Sequence, residues 1–219
     1  MRDAFRRDMD LLDQRLYQMS RLVGAAITNA MNSVLNADLV LAEGVIDADQ
    51  QIDALEEQVE DQTVQILARQ SPVATDLRVL VTSLRMSSSL ERMGDLARHV
   101  AQLAQRRFPH PALPVPAQQL MTEMARLDEQ MADQVGRLIR RRDLSFARLI
   151  RTADGNVNEL HRQVFALLNS PNWDQDTQAT VDTTLCSRYL ERFGDHAVSV
   201  ANRMEFIVNG QHRVRHAAM

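Results

Sequence analysis

Residues 86–104 read MSSSLERMGDLARHVAQLA, and residues 186–204 read CSRYLERFGDHAVSVANRM. The pattern Glu-Arg-x-Gly-Asp occurs in both, at 91–95 and again at 191–195. The apolar positions recur with the same offset: Met86, Leu90, Met93, Ala97, Val100 and Ala104 correspond to Cys186, Leu190, Phe193, Ala197, Val200 and Met204. Their 4-3-4-3-4 spacing is typical of a long helix that packs against others at a shallow angle. We therefore predict that these stretches are corresponding helices of an internal repeat.

The repeat extends to the helix before each of these stretches. Five residues of the first half align with five of the second at an offset of 105: Asp49, Ile52, Asp53, Leu55 and Val59 with Asp154, Val157, Asn158, Leu160 and Val164. Apolar periodicity and turn-forming residues predict six helices, over about 5–44, 50–70, 75–108, 117–142, 145–169 and 174–208. In the first of these, Gly44 and the aspartates that follow it are expected to mark the end.

Four of the six prolines fall between residues 109 and 116, which predicts a linker. We expect an all-α fold of two tandem, pseudo-symmetric three-helix bundles, one in residues 1–108 and one in residues 117–219. With about 105 residues in each unit, the chain is better described as two small bundles than as one large core.

The composition excludes several classes of protein. Hydrophobic residues make up 45% of the chain and aromatic residues only 4%, which favours a packed helical protein over a sheet protein or a disordered chain. All 25 basic side chains are arginine, so lysine Schiff-base chemistry and a P-loop nucleotide site are excluded. A net charge of −4 offers no global attraction to nucleic acid.

Two further features of the sequence indicate the cellular compartment of the protein. The single cysteine, Cys186, cannot form an internal disulfide, and its place in the apolar pattern predicts a buried, unreactive thiol. The N-terminal sequence lacks the apolar stretch of a signal peptide, and no run is apolar enough to span a membrane. We expect a cytoplasmic protein that meets membranes only through its partners.

Carboxylates four residues apart share a helix face, and this spacing occurs twice in the repeat: Glu91 with Asp95, and Glu191 with Asp195. Like charges at this spacing cost about 0.2–0.5 kcal/mol unless a cation lies between them. The face points away from the apolar positions, so we expect it on the outside of the bundle. Asp49 and Asp53 on the preceding helix could face Glu91 and Asp95 across a groove. Four such carboxylates suit hard cations such as Mg²⁺, Ca²⁺, Mn²⁺ or iron.

The glycine inside each motif, Gly94 or Gly194, costs about 1 kcal/mol against alanine in a helix interior. Close approach of a neighbouring backbone would explain it. An alternative interpretation of the acidic face is that its carboxylates are solvated and paired with arginines: Arg85, Arg92, Arg98 and Arg192. Because the motif recurs in both repeats, the metal interpretation is favoured.

Two three-helix repeats, each with Asp-x-x-x-Asp or Asp-x-x-x-Asn on the second helix and Glu-Arg-x-Gly-Asp on the third, resemble the PhoU family of bacterial phosphate-transport accessory and phosphate-signalling proteins. The resemblance covers essentially the whole chain, including residues 76–78 and 205–210. It implies two multinuclear metal sites on the bundle surfaces, one formed by Asp49, Asp53, Glu91 and Asp95 and the other by Asp154, Glu191 and Asp195. Asn158, which replaces the second aspartate, offers a carbonyl oxygen without charge, so we expect the second site to bind metal more weakly.

The resemblance also implies a function. The protein would be a cytoplasmic negative regulator of phosphate uptake and of the phosphate-starvation response, and not an enzyme. Its partners would be a second copy of itself, the phosphate-specific ABC transporter ATPase and the phosphate-responsive sensor histidine kinase. Its cofactors would be divalent or trivalent metal ions, with iron, manganese, magnesium and zinc left open.

Two other functions compete with this one. A carboxylate-bridged metalloenzyme could be built on a helical bundle, but such enzymes usually place their ligands inside the bundle and add Glu-x-x-His, which the acidic motifs lack. The second competing interpretation is a purely structural bundle without metal.

Overall fold

The computed structural model describes residues 2–210, and the chain in that range forms six α-helices and no strand. The helices are α1 (Arg2–Asn36), α2 (Leu39–Gln70), α3 (Ala74–Arg107), α4 (Val115–Arg141), α5 (Ser145–Leu168) and α6 (Thr177–Asn209). None of these six helices is both long and apolar enough to cross a lipid bilayer. The all-α class and the three-plus-three order are therefore confirmed. Residues 1 and 211–219, which the predicted repeats include, lie outside the described residues.

The boundary between α1 and α2 differs from the prediction. The break falls at Ala37 and Asp38, so the predicted helix to residue 44 is wrong and Gly44 lies inside α2. Ala37 adopts a φ of 50°, which ends α1, and the Asp38 carboxylate caps α2 by accepting a hydrogen bond from the Leu41 N–H at 3.0 Å. Apolar periodicity continues across so short a turn, and it therefore hides the break.

The proline-rich segment is part of the packed structure. Helix α4 begins at Val115 with Pro116 in its first turn, inside the predicted 109–116 linker. Ala112 and Leu113 are 2% and 1% exposed and belong to the hydrophobic core. The segment that connects α3 and α4 therefore packs against the hydrophobic core.

One continuous hydrophobic core runs through both repeats. Helix α1 packs against α2 and α3 of its own repeat and against α4 of the other, and α3 packs against α6. Across α3 and α6, Arg203 donates a hydrogen bond to Ser89 Oγ at 2.7 Å, and Arg107 forms an ion pair with the buried Asp182 at 3.5 Å. The two three-helix bundles are confirmed, but the expectation that they have separate cores is wrong, because apolar faces of α1, α3, α4 and α6 are buried between the repeats.

Helices α1 and α4 cross closely at two glycines. A Cβ added to Gly24 would lie 3.3 Å from Ala132 Cβ, and a Cβ added to Gly136 would lie 2.7 Å from Ser20 Oγ. The two contacts show that α1 and α4 run in opposite directions where they cross, because Gly24 meets Ala132 and the earlier Ser20 meets the later Gly136. An offset of 105 aligns α1 with α4, because α1 ends at Asn36 and α4 at Arg141, each followed by a residue with a positive φ. It places Asp128 at the position that corresponds to Val23.

Candidate metal centre

The first acidic set comprises Asp49 and Asp53 of α2 with Glu91 and Asp95 of α3. Helix α2 packs along α3 and brings Asp49 beside Asp95, and one guanidinium, that of Arg98, contacts both. Arg98 Nε lies 2.8 Å from Asp49 Oδ2, and its Nη2 pairs with Asp95. Asp53 is exposed at the edge of the set. The structure thus brings the predicted residues to one groove and already places a cation between two of them.

A second arginine further neutralises the first acidic set. Arg92 Nη1 lies 2.9 Å from Asp95 Oδ2, and Arg92 Nε lies 3.4 Å from Glu91 Oε2. Two of the four arginines considered as partners of these acids therefore do pair with them. For the first acidic set, the arginine-paired alternative describes the observed contacts.

The acids of the first set are less exposed than predicted. The side chains of Asp49, Asp95 and Glu91 are 6%, 16% and 22% exposed, so the expected outer face is a groove that α2 partly covers. Burial raises the pKa of Asp49 to about 6, although Arg98 opposes the shift. Burial, together with the neighbouring charge of Asp95, raises the pKa of Glu91 to about 7.

Each motif glycine makes room for an aspartate of the neighbouring helix. A Cβ on Gly94 would lie 2.8 Å from Ile52 Cδ1 and 2.9 Å from Asp49 Oδ1, and a Cβ on Gly194 would lie 3.0 Å from Asp154 Oδ1. The predicted close approach is confirmed, but side chains make it and not the backbone. The glycines therefore let the acid of α2 or α5 lie directly against α3 or α6.

The second acidic set comprises Asp154 and Asn158 of α5 with Glu191 and Asp195 of α6. Asn158 Nδ2 donates a hydrogen bond to Asp154 Oδ2 at 3.2 Å, which leaves Asp154 Oδ1 buried without a hydrogen-bond partner among the described residues. The guanidinium of Arg188 pairs with Glu191. Asp195 is exposed.

No guanidinium bridges the second acidic set. The position that corresponds to Arg98 is Val198, and no ion pair within the described residues joins an arginine to Asp154 or Asp195. Burial raises the pKa of Asp154 to about 6, with Asp195 and Glu191 adding to the shift. Unlike the first set, the second is left with carboxylates that lack a cation.

Asp128 of α4 lies beside the second acidic set and was not predicted. It is 0% exposed, and neither of its carboxylate oxygens has a hydrogen-bond partner among the described residues. Its Oδ1 lies 3.7 Å from the point that a Cβ on Gly194 would occupy. Burial, with the charges of Asp154 and Glu191, raises the pKa of Asp128 well above its ordinary value.

A signal for Asp128 was present in the sequence. The apolar positions of α4 are Met121, Met124, Met131, Val135 and Leu138, and Asp128 completes their helical spacing. A single acid in an otherwise apolar stripe is either a core carboxyl or a ligand. Only the packing of α4 against α5 and α6 shows that this one faces Asp154.

Within residues 2–210, no three His, Cys, Asp or Glu side chains converge closely enough to hold a metal ion as they stand. The second acidic set has buried carboxylate oxygens without partners, but Met131 Cε and Asp154 Oδ1 each lie 3.0 Å from the point that a Cβ on Gly194 would occupy, so the space there is filled and does not fit a hard cation as it stands. Before the first acidic set could bind a metal ion, Asp49 and Asp95 would have to separate from Arg98.

Known proteins match this chain over nearly its whole length. The relatives include the phosphate-specific transport system accessory protein PhoU homolog 2 of Mycobacterium tuberculosis, 40% identical over 96% of this chain and 99% of its own. The PhoU homolog 1 of Mycobacterium leprae is 38% identical over 96% and 95%.

Solved structures agree with this match. PhoU from Pseudomonas aeruginosa superposes with a TM-score of 0.85 at 25% identity, covering 94% of this chain and all of that one. The PhoU domain family matches twice, at residues 16–104 and 121–204, once in each three-helix repeat. With both repeats matched and full-length relatives near 40% identity, this chain belongs to the PhoU family.

Proposed function

We propose that this protein is an accessory and regulatory protein of a phosphate-specific transport system. The observation that carries the proposal is the double PhoU match, together with relatives named as accessory proteins of that system that align over nearly their full length. These names describe an accessory role in phosphate transport. The protein would act by binding partners and not by catalysis.

In its finer form, the proposal is a cytoplasmic negative regulator. It would restrain phosphate uptake and the phosphate-starvation response when phosphate is plentiful, by linking the ABC transporter ATPase to the sensor histidine kinase. A homodimer is part of the proposal. The helical architecture supports a docking role, because the long helices present rigid faces and are held by one shared core.

The acidic sets would supply the rigidity of those faces. A cation bound between α2 and α3, or between α5 and α6, would offset the repulsion between half-buried carboxylates and hold the two helices together. Iron, manganese, magnesium and zinc are all candidates. The residues that would hold the cation are Asp49, Asp53, Glu91 and Asp95 in the first repeat, and Asp154, Glu191, Asp195 and the carbonyl oxygen of Asn158 in the second.

The metalloenzyme alternative gains little from the structure. Asp49 is buried and Glu91 and Asp95 are partly buried, as such enzymes require, but no Glu-x-x-His spacing occurs anywhere in the sequence. Partner binding remains the better explanation.

Deletion of the gene tests the proposal. In the host grown at high phosphate, we expect the deletion strain to express phosphate-starvation genes constitutively, and a plasmid copy of the wild-type gene to restore repression. Unchanged expression in the deletion strain would show that the protein is not a negative regulator. Co-purification of the transporter ATPase and the kinase with tagged protein tests the two partners separately.

A further inference from the structure

A groove between the N-terminal part of α3 and the C-terminal part of α6 lies outside both acidic sets. Leu77 and Val81 of α3 and Phe206 of α6 give it an apolar floor, and Leu77 and Val81 are 40% and 38% exposed. The lining also includes three arginines: Arg78, Arg85 and Arg203. None of the lining residues is acidic. This cationic groove therefore combines exposed apolar surface with positive charge.

The positive charge of Arg78 and Arg85 is not offset within the part of the chain that the structure describes, where neither guanidinium forms an ion pair. Neutral groups hold Arg78 in place. Its Cζ lies 5.7 Å from the centre of the Phe206 ring, and its Nη2 donates a hydrogen bond to Thr75 Oγ1 at 3.3 Å. A charge that is already fixed in position loses little conformational freedom when a ligand binds.

The corresponding surface of the second repeat lacks this charge. At an offset of 100, Gln178 and Leu185 occupy the positions of Arg78 and Arg85. Asp182, which lies between them on α6, is a buried acid. The same helical packing is therefore built without these arginines in the second repeat, so packing alone does not require them in the first.

We propose that the cationic groove binds an acidic, amphipathic segment of a partner protein. Carboxylates of this segment pair with the arginines, and its apolar side chains cover Leu77, Val81 and Phe206. The face of α3 that lines the groove extends from residue 74 to residue 85, which is about 17 Å of helix. This inference rests on the docking role in the proposed function, to which it adds a surface and the chemistry of the docked segment.

Other occupants match the cationic groove less well. Inorganic phosphate would meet the charge but would leave the apolar floor exposed to water. The net charge of −4 does not favour approach to an anionic membrane. Residues 211–219 of this chain include two arginines and no acidic side chain. A two-fold dimer centred on the groove would bring two copies of the same arginines together, and like charges repel.

The test is photocrosslinking in the host, with the full-length protein carrying p-benzoylphenylalanine in place of Val81 and the crosslinked peptide identified by mass spectrometry. Val181, the exposed valine at the corresponding position of the second repeat, is the matched control position. We expect position 81 to crosslink to an acid-bearing segment of another protein, and position 181 not to crosslink to it. Arg85→Glu should lower the yield by about fivefold or more, because an attraction becomes a repulsion.

A charge exchange distinguishes docking from misfolding. When arginine replaces an acidic residue of the crosslinked segment, the Arg85→Glu protein should recover the crosslink. Arg21→Glu, which changes an exposed arginine of α1, is the control and should leave the yield unchanged.

The inference is overturned if position 81 crosslinks to lipid, to a second copy of this chain, to residues 211–219 or to a segment without carboxylates. It is also overturned if position 81 crosslinks to no protein, or if Arg85→Glu leaves the yield unchanged. None of these results bears on repression at high phosphate, which the deletion strain tests independently.

Discussion

At the scale of the residue, single positions decide how charge is distributed in two otherwise similar repeats. Arg98 and Val198 occupy corresponding positions, as do Val23 and Asp128. In each pair, one residue supplies a charge and the other supplies an apolar side chain. The shared Glu-Arg-x-Gly-Asp motif could be predicted from the sequence as an acidic site, but the charge around it depends on residues outside the motif, which only the packing brings close.

Asp128 should destabilise the metal-free protein in a pH-dependent way. Burial raises its pKa in the folded state well above the ordinary value of 3.8, so above about pH 4 the unfolded chain releases a proton that the folded chain retains. Stability is therefore lost as pH rises, and Asp128→Asn removes this loss. We expect the melting temperature of the variant to exceed that of wild type at pH 7 by a few degrees, since about 1 kcal/mol corresponds to roughly 2–4 °C at this size.

The measurement is thermal unfolding by circular dichroism in the presence of chelator, at pH 4 and at pH 7. The advantage of Asp128→Asn should be smaller at pH 4, where this carboxyl is only partly ionised in the unfolded chain. An equal advantage at both pH values would mean that ionisation of Asp128 is not its cause.

Cys186 should be unreactive in the folded protein. It is 0% exposed, and burial raises the pKa of its thiol to about 12, with the nearby Asp128 and Asp182 adding to the shift. We expect iodoacetamide to leave the native protein unmodified at neutral pH and to add one label after denaturation, as read by mass spectrometry. Rapid labelling of native protein would show that α6 opens locally.

At the scale of the element, the helices lie where apolar periodicity predicts them, except where a polar residue starts a new helix inside a continuous apolar pattern. Five of the helix ends lie at prolines, glycines or turn residues that could be recognised in advance, such as Ser71-Pro72 after α2. The break at Ala37 was missed because its signal is one capping aspartate and a left-handed backbone. The half-buried position of the acids was missed too, because helical periodicity gives the direction of a side chain but not the neighbour that covers it.

The motif glycine should be needed for the packing of α2 on α3. In Gly94→Ala, the added methyl group would meet Ile52 and Asp49 at under 3.0 Å. Overpacking of this kind costs about 1–3 kcal/mol, against about 1 kcal/mol gained in helix propensity. We expect a lower midpoint of urea unfolding.

Gly44→Ala in α2 is the control for that variant. A Cβ there meets no atom within 4 Å, so only the propensity gain of roughly 1 kcal/mol should remain and the midpoint should rise. If both glycine variants shifted the midpoint in the same direction, packing at Gly94 would not be the determining factor.

At the scale of the whole molecule, the internal repeat could be predicted from the sequence, but the shared core could not. Repetition at offsets of 100 and 105 indicated two similar units, yet it contained no information on whether their apolar faces meet. The answer lies in small residues at the crossing of α1 and α4, where Gly24 and Gly136 allow the helices to approach. Glycines in apolar stripes are therefore a signal for contacts between repeats.

The shared core predicts that both repeats unfold together. Trp173, the only tryptophan, lies between α5 and α6 and reports on the second repeat, where its Nε1 donates a hydrogen bond to Thr180 Oγ1 at 2.8 Å. Far-UV circular dichroism reports on all six helices. We expect the urea transitions measured by Trp173 fluorescence and by circular dichroism to coincide. Separate transitions would mean that each repeat is stable without the other.

The helices that cross between the repeats, α1 and α4, are corresponding helices and run in opposite directions, which is the arrangement that a two-fold homodimer interface would give them. Such symmetry is what duplication and fusion of one self-associating three-helix ancestor would leave behind. In a true homodimer, every substitution occurs on both sides at once. Once the two copies are one polypeptide, each can mutate alone, so one half can carry a carboxyl at 128 and valine at 198 while the other carries valine at 23 and arginine at 98.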